Sequence, residues 1–219
     1  MKLSSKKLKV VIFDWDGTLA QSDSPRVQAI NRVLKEYDMP CWDEVKNLRD
    51  EMLSFLDNFP NIFGQKSHWA YTKFCRYYKQ YVKNDFQGFN NADKVINFFR
   101  AKGIKIAIMT NKDRHLLEYE LPMLYSTDWF DKIVCGHEAP RDKPYGDQAL
   151  YTLKDLIDFA DISPETVWII GDSRLDNLCA SVVNALPIRV NNDKNLNDNI
   201  NCKNIIFFKD YFSLLNSID

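Results

Sequence analysis

The sequence predicts an α/β fold: a parallel β-sheet flanked by helices and interrupted near its start by an all-helical insertion. Three observations carry that prediction. Short apolar runs recur at Val10–Phe13 and at residues 104–109, 133–135, 167–170, 187–190 and 205–208. Most intervals between them from residue 92 onward space their apolar residues as helices do, and this alternation builds parallel sheets. Between Leu19 and Gly88 the alternation stops and only helical spacing remains.

Each element has its own signal. Val10-Val11-Ile12-Phe13 is apolar at four successive positions, as in a strand covered on both faces. In the insertion, Val27, Ile30, Val33, Leu34 and Tyr37 predict a first helix, and Val45, Leu48, Met52 and Leu56 a second. Phe74, Tyr77, Tyr78 and Tyr81 predict a third, an aromatic stripe that reads as packing rather than ligand contact. Breaks fall at Met39-Pro40 and across residues 58–64, with no strand signal between the helices. Beyond the insertion, Val95, Ile96, Phe98 and Phe99 line a helix that Gly103 ends. Leu116, Leu117, Leu121 and Leu124 line another, with Pro122 as a bend point. A further helix spans residues 149–159, and Ser163-Pro164-Glu165 turns the chain into the next strand. The expected division is a core of residues 1–19 and 89–219 and a small helical domain of residues 20–88.

Composition excludes several function classes. With 219 residues and 45% hydrophobic composition the chain can bury a substantial core. A formal net charge of -1 gives no bulk electrostatic case for nucleic acid or anionic membrane as partner. Lys6-Lys7-Lys9 reads as a solvated end. No apolar stretch approaches the roughly 18 residues of a membrane span, and no signal-peptide core follows the polar start, so the expected location is the cytoplasm. Cys41, Cys75, Cys135, Cys179 and Cys202 form an odd set without a CxxC pair, which points to free thiols.

The chemistry concentrates at strand ends. Asp14-Trp15-Asp16-Gly17-Thr18 follows the first strand directly, placing two carboxylates where charge is costly unless a cation or hydrogen bonds meet it. A calcium loop is the plain alternative, but Leu19-Ala20 interrupts its ligand pattern. Thr110-Asn111 follows the strand at 104–109, a pairing common in ordinary turns and helix caps. Asp172 follows the strand at 167–170, with Asp176 four residues later where it could simply cap a helix. Arg141-Asp142-Lys143-Pro144 lies between them and by itself reads as a charged loop. Open parallel sheets bind ligands at the carboxyl ends of their strands, so Asp14, Asp16, Thr110 and Asp172 are expected to meet in one crevice. Three carboxylates would repel an anionic substrate, so a divalent cation is required, and all-oxygen ligation favours magnesium. Lys143 adds a fixed positive charge suited to a phosphoryl group.

These four segments, in this order, resemble the signature of the haloacid dehalogenase superfamily, on its phosphoglycolate phosphatase-like branch. The resemblance covers residues 8–19 and 89–212, and residues 20–88 fall where this branch carries a helical cap. It implies a Rossmann-like core, Asp14 as nucleophile forming an aspartyl-phosphate, and Asp16 as general acid and then base, with a pKa raised by neighbouring anions. It further implies Mg2+ held by Asp14, Asp172 and the Asp16 backbone carbonyl. Thr110 and the Asn111 N–H would bind the phosphoryl oxygens, Lys143 would neutralise them, and Asp176 would orient Lys143 or a metal-bound water from behind. The implied substrate is a small phosphorylated metabolite, selected by residues 20–88. A phosphomutase remains open, served by cap residues such as His68, Arg32 or Lys73, as do a phosphonate hydrolase and a catalytically silent binding protein; Asp16 argues against dehalogenation. Gln21 and Asn184-Ala185-Leu186 depart from the branch pattern, which commonly has an acid and a glycine there. The oligomeric state is open.

Overall fold

The computed structural model describes residues 2–190 and 204–219; at its centre lies β1 (Val10–Phe13), buried at all four positions. In chain order there follow β2 (Ala20–Gln21), α1 (Asp23–Glu36), α2 (Trp42–Val45), α3 (Phe59–Phe63), α4 (Ser67–Val82) and β3 (Gln87–Gly88). The alternating part comprises α5 (Ala92–Ala101), β4 (Lys105–Met109), α6 (Arg114–Leu124), β5 (Lys132–Val134), α7 (Gly146–Leu153), β6 (Val167–Gly171), α8 (Arg174–Val182), β7 (Leu186–Arg189), β8 (Ile206–Phe207) and α9 (Tyr211–Ser217). Six strands form one parallel sheet in the order β5-β4-β1-β6-β7-β8. Val10 lies opposite Lys105 on one side and Val167 on the other. The chain therefore runs outward from β1 through β4 to β5, then returns to β6 on the other edge of β1. This reversal opens a crevice at the carboxyl ends of β4, β1 and β6.

Successive residues of β1 face opposite sides of the sheet. Val11 and Phe13 pack with Val95 and Phe99 of α5 and Tyr211 of α9. Val10 and Ile12 pack with Ala149 and Leu153 of α7 and Cys179 and Ala180 of α8. The predicted α/β class thus has both sheet faces covered, as the unbroken apolar strands require.

The insertion builds a third apolar cluster from Ile30, Val33 and Leu34 of α1, Phe59 and Phe63 of α3, and Phe74 and Tyr78 of α4. Leu116 of α6 joins it and ties the insertion to the sheet layer. The aromatic stripe does pack: Phe74 stacks on Tyr78 with ring centroids 5.4 Å apart.

The second predicted helix of the insertion does not form. Only α2 and one 3-10 turn, Lys46–Leu48, are helical there, and Leu48 and Met52 are exposed. Asn58 explains the difference. Its side chain accepts from Asp50 N–H at 2.7 Å and donates to the Asp50 and Ser54 carbonyls at 3.0 and 2.8 Å, holding residues 50–58 as a loop whose backbone groups are then unavailable to a helix. The expected break at 58–64 instead contains α3, with Pro60 in its first turn where a missing N–H costs nothing. The ends of the insertion pair as a two-residue antiparallel ribbon, Ala20 with Gly88 and Gln21 with Gln87, too short for alternation to register in sequence. The helix expected at 149–159 begins at Gly146 and stops at Leu153, and α6 continues through Pro122. Asn184 adopts φ 60°, the left-handed conformation that Asn tolerates in place of glycine.

Among the described residues no helix is long and apolar enough to cross a membrane. Cys41, Cys75, Cys135 and Cys179 are free thiols, and Cys202 lies outside the described residues.

Candidate active site

Asp14 leaves β1 with its N–H donating to the Ile170 carbonyl at 2.9 Å, which locks its backbone to β6. Thr110 at the end of β4 and Asp172 at the end of β6 face the same crevice, about 230 Å3 in volume, together with Asp16, Asn111 and Lys143. Gly17 makes the crossing possible. It adopts φ 75°, and a Cβ there would overlap the Asp172 carboxylate, so only glycine allows both the turn and the close approach.

Lys143 reaches the crevice from the loop before α7. Its Nζ lies 2.7 Å from Asp14 Oδ1 and 2.6 Å from Asp176 Oδ1, and all three side chains are buried. Asp176 is held in turn by α8: its second oxygen accepts from the Ser173 N–H at 3.1 Å and from the Ser173 hydroxyl, completing a capping box. The Asn111 side chain grips the Lys143 backbone, donating to its carbonyl at 2.9 Å and accepting from its N–H at 3.1 Å. Gln148, unsuspected from the sequence and fully buried, donates to the Thr110 and Cys135 carbonyls at 3.0 and 3.2 Å. It thereby fixes the end of β4 against the lysine loop.

Burial pushes the Asp14 carboxyl up to about 7, with Lys143 opposing and Asp176 adding to the rise. Asp172 is raised well above the usual carboxylate range by burial and by Asp14 and Asp176. For Lys143, burial disfavours the charge, but Asp14 and Asp176 outweigh it and hold the ammonium protonated. One oxygen each from Asp14, Asp172 and Asp176 lies within 4.8 Å of the others. Both Asp176 oxygens are engaged by Lys143 and Ser173, which leaves Asp14 and Asp172 as the better cation donors. A concentrated, buried, all-oxygen set of this kind fits a hard divalent cation.

Asp16 corrects one expectation. Burial opposes its charge, but Lys112, the Ser22 hydroxyl and Arg26 together hold its carboxyl below the usual range. Neighbouring anions do not dominate because Lys112 stands between them: its Nζ lies 2.6 Å from Asp16, 2.7 Å from Glu120 and 3.1 Å from the Tyr78 hydroxyl. Trp15 donates its indole N–H to Glu120 at 2.6 Å. The sequence signal was present: Glu120 shares its helix face with Leu116, Leu117 and Leu121, and a buried acid on an apolar face demands a cation. Lys112→Met leaves that acid uncompensated and should cost on the order of 3–5 kcal/mol of stability. Lys112→Met with Glu120→Leu should recover most of the loss in urea unfolding.

His137 links the insertion to the lysine loop. Its Nε2 lies 3.0 Å from Asp57 Oδ1 and its Nδ1 3.9 Å from Asp113. Partial burial disfavours protonation, but Asp57, Asp142 and Asp113 raise its pKa above the usual value. A raised pKa in the folded state contributes stability below the usual histidine value of about 6.5 that is lost as pH rises through the folded value. His137→Ala should therefore flatten the fall in melting temperature over that interval; an unchanged slope excludes the histidine as its source.

The model of haloacid dehalogenase-like hydrolases matches residues 11–190. The chain belongs to that family. Within reach of this haloacid dehalogenase-like chain is the phosphoglycolate phosphatase of Colwellia psychrerythraea, 27% identical over 214 residues, covering 92% of this chain and 91% of that protein. The pyrophosphatase PpaX of Bacillus mycoides is 23% identical over 175 residues, covering 78% of this chain and 77% of that one. A predicted phosphoglycolate phosphatase from Haemophilus somnus, solved as a crystal structure, superposes with a TM-score of 0.75 at 20% identity over 96% of this chain and 98% of that one. The haloacid dehalogenase-like chain is thus an enzyme of the hydrolase type with the family's α/β core.

Proposed function

We propose that the enzyme is a magnesium-dependent phosphatase that hydrolyses a small phosphorylated metabolite through an aspartyl-phosphate on Asp14. The observation that carries this reading is the buried Lys143–Asp14 pair, 2.7 Å apart, at the end of the central strand. It places a carboxylate and a fixed cation side by side, the arrangement needed to attack phosphorus and to neutralise the oxygens attached to it. Residues 1–19 and 89–219 serve as the catalytic core, and residues 20–88 as a cap over the crevice.

An Asp14 oxygen forms the new bond to phosphorus while the ester P–O bond breaks. Lys112 keeps Asp16 ionised in the unliganded site, so the proton comes with a substrate bound as its monoanion: Asp16 takes it up and gives it to the departing oxygen, then accepts one from the water that cleaves the aspartyl-phosphate and restores Asp14. Lys112 stabilises the Asp16 carboxylate left after the first proton transfer, making Asp16 a stronger acid. Thr110 and the Asn111 N–H hold the phosphoryl oxygens, and Asp176 keeps Lys143 extended toward them. Asp14, Asp172 and the Asp16 backbone carbonyl would hold Mg2+, which when bound supplies positive charge between nucleophile and phosphate.

Phosphate release from a panel of small phosphate esters, with Mg2+ and with the metal chelated, tests the reading. Mg2+-dependent release is expected, with phosphoglycolate-like esters preferred. Hydrolysis that is indifferent to chelation, or none from any ester, overturns it.

A further inference from the structure

The catalytic steps make no use of His137, yet it stands where the insertion meets the lysine loop. It lies just beyond β5, adopts φ 63°, a conformation histidine tolerates better than most side chains, and donates its backbone N–H to the Asp142 carboxylate at 3.0 Å. That bond anchors it to the segment that carries Lys143. Its ring crosses to the insertion, where Nε2 meets Asp57 Oδ1 at 3.0 Å. The other Asp57 oxygen accepts from the Ser54 hydroxyl at 2.7 Å, and the Asp57 N–H donates to that hydroxyl at 3.0 Å. Ser54, with Leu53, Phe55 and Leu56, lines the crevice that holds Asp14. One imidazole is thus linked in two steps to a wall of the site.

Packing contributes little along this seam. A second cavity, about 210 Å3 in volume, has Leu53, Ser54 and Asp57 on one side and His137, Asp142 and Lys143 on the other. It adjoins the crevice, since Leu53, Ser54 and Lys143 line both. Where atoms are missing between two walls dispersion cannot hold them together, which leaves the task to polar bridges.

This bridge depends on charge. Three carboxylates surround the ring, one from each segment that meets there: Asp57 of the insertion, Asp142 of the lysine loop, and Asp113 at the start of α6, 3.9 Å from Nδ1. Neighbouring charges are engaged elsewhere, Arg141 with Asp147 at 2.7 Å, Arg114 with Glu138 at 2.6 Å, and Lys143 with Asp14 and Asp176. Asp113 also accepts from the Tyr71 hydroxyl at 2.5 Å and lies 3.8 Å from His115. A protonated imidazole sets one positive charge between the acid of the insertion and the two acids of the core. A neutral one leaves Asp57 facing Asp113 and Asp142 as like charges. Burial raises the Asp142 carboxyl above its usual range, His137 opposes that rise and Asp57 adds to it.

We propose that His137 is a positioning residue whose protonation fastens residues 50–58 to the lysine loop and so shapes one wall of the crevice. Against the cost of partial burial, the three acids hold its pKa above the usual value. The fastening is therefore complete at low pH and is lost as pH rises through that raised value. Its kinetic consequence, weaker substrate binding on the alkaline side, rests on the phosphatase reading; the fastening itself does not.

Hydrogen exchange of the whole protein, read by mass spectrometry from about pH 5.5 to 8.5 and scaled to the intrinsic rate at each pH, tests the fastening. Protection of residues 50–58 in the wild-type protein should fall by about threefold across the histidine titration, the factor that a partly exposed charge pair supports. His137→Asn, which tolerates the same backbone conformation, should lack both that protection and its pH dependence. Asp57→Asn should match it. His137→Lys keeps the cation and should hold the protection level to the top of the range, which a merely structural imidazole cannot explain. For an ester that the enzyme hydrolyses, the wild-type KM should lie about threefold below that of His137→Asn at low pH and equal it at high pH, a ratio from which the titration of the ester cancels, while kcat changes less. Protection that is level with pH in the wild-type protein, or that falls equally in His137→Asn, overturns the proposal. A KM ratio level with pH while protection falls overturns the kinetic consequence and sustains the fastening. If no ester is hydrolysed, the phosphatase reading fails separately, and exchange alone decides the role of His137.

Discussion

Asp14→Asn should abolish turnover, by a factor on the order of 10^4 or more, without weakening the fold. The amide is nearly isosteric, so packing against the end of β1 is retained, but it lacks the carboxylate that attacks phosphorus. Burial already pushes the Asp14 carboxyl up to about 7, so the wild-type charge is itself costly in the unliganded protein. Removing it relieves a buried anion while Lys143 keeps its 2.6 Å contact with Asp176. The melting temperature should accordingly stay level or rise. Phosphate release and thermal unfolding measured on one preparation separate the two effects, and mass spectrometry of the quenched reaction should show a phosphoryl adduct in wild type and none in the variant. Near wild-type turnover by Asp14→Asn would mean that the covalent mechanism is wrong.

How much of this was legible in the sequence depended on the range of the interactions. The strands could be read because each is apolar along its length, a local signal that burial on two faces imposes. Their convergence followed from topology: once the sheet is parallel, whatever follows β1, β4 and β6 shares an edge, and so Asp14, Thr110 and Asp172 were placeable together. The loop at 50–58 was not, because Asn58 overrides a helical apolar pattern through hydrogen bonds to Asp50 and Ser54, and apolar periodicity carries no record of them. Lys112 was missed for a related reason. It adjoins Thr110-Asn111 and reads as a surface lysine until α6 brings Glu120 to it. Lys112, with Ser22 and Arg26, then reversed the expected direction of the Asp16 shift.

Lys143→Met should damage both activity and stability, whereas Asp14→Asn spares the fold. The side chain sits between two buried carboxylates at 2.7 and 2.6 Å, and methionine fills similar volume without the charge. Both acids then lie in a poorly solvated pocket with no cation, and breaking a buried pair from one side costs on the order of 3–5 kcal/mol in the metal-free protein. Turnover should fall by about 10^2–10^3, the usual loss when a fixed electrostatic donor is removed from a transition state. Lys143→Met with Asp176→Asn should regain stability, since the amide needs no cation, but not turnover. Lys143→Arg should reach the same division by another route. It keeps the charge and hence much of the stability, yet a planar fork cannot occupy the slot of a tapered ammonium between Asp14 and Asp176, so turnover should remain low. Urea unfolding of all three beside their kcat values would show whether charge or position is what Lys143 contributes. Full turnover in the arginine variant would assign its role to charge alone.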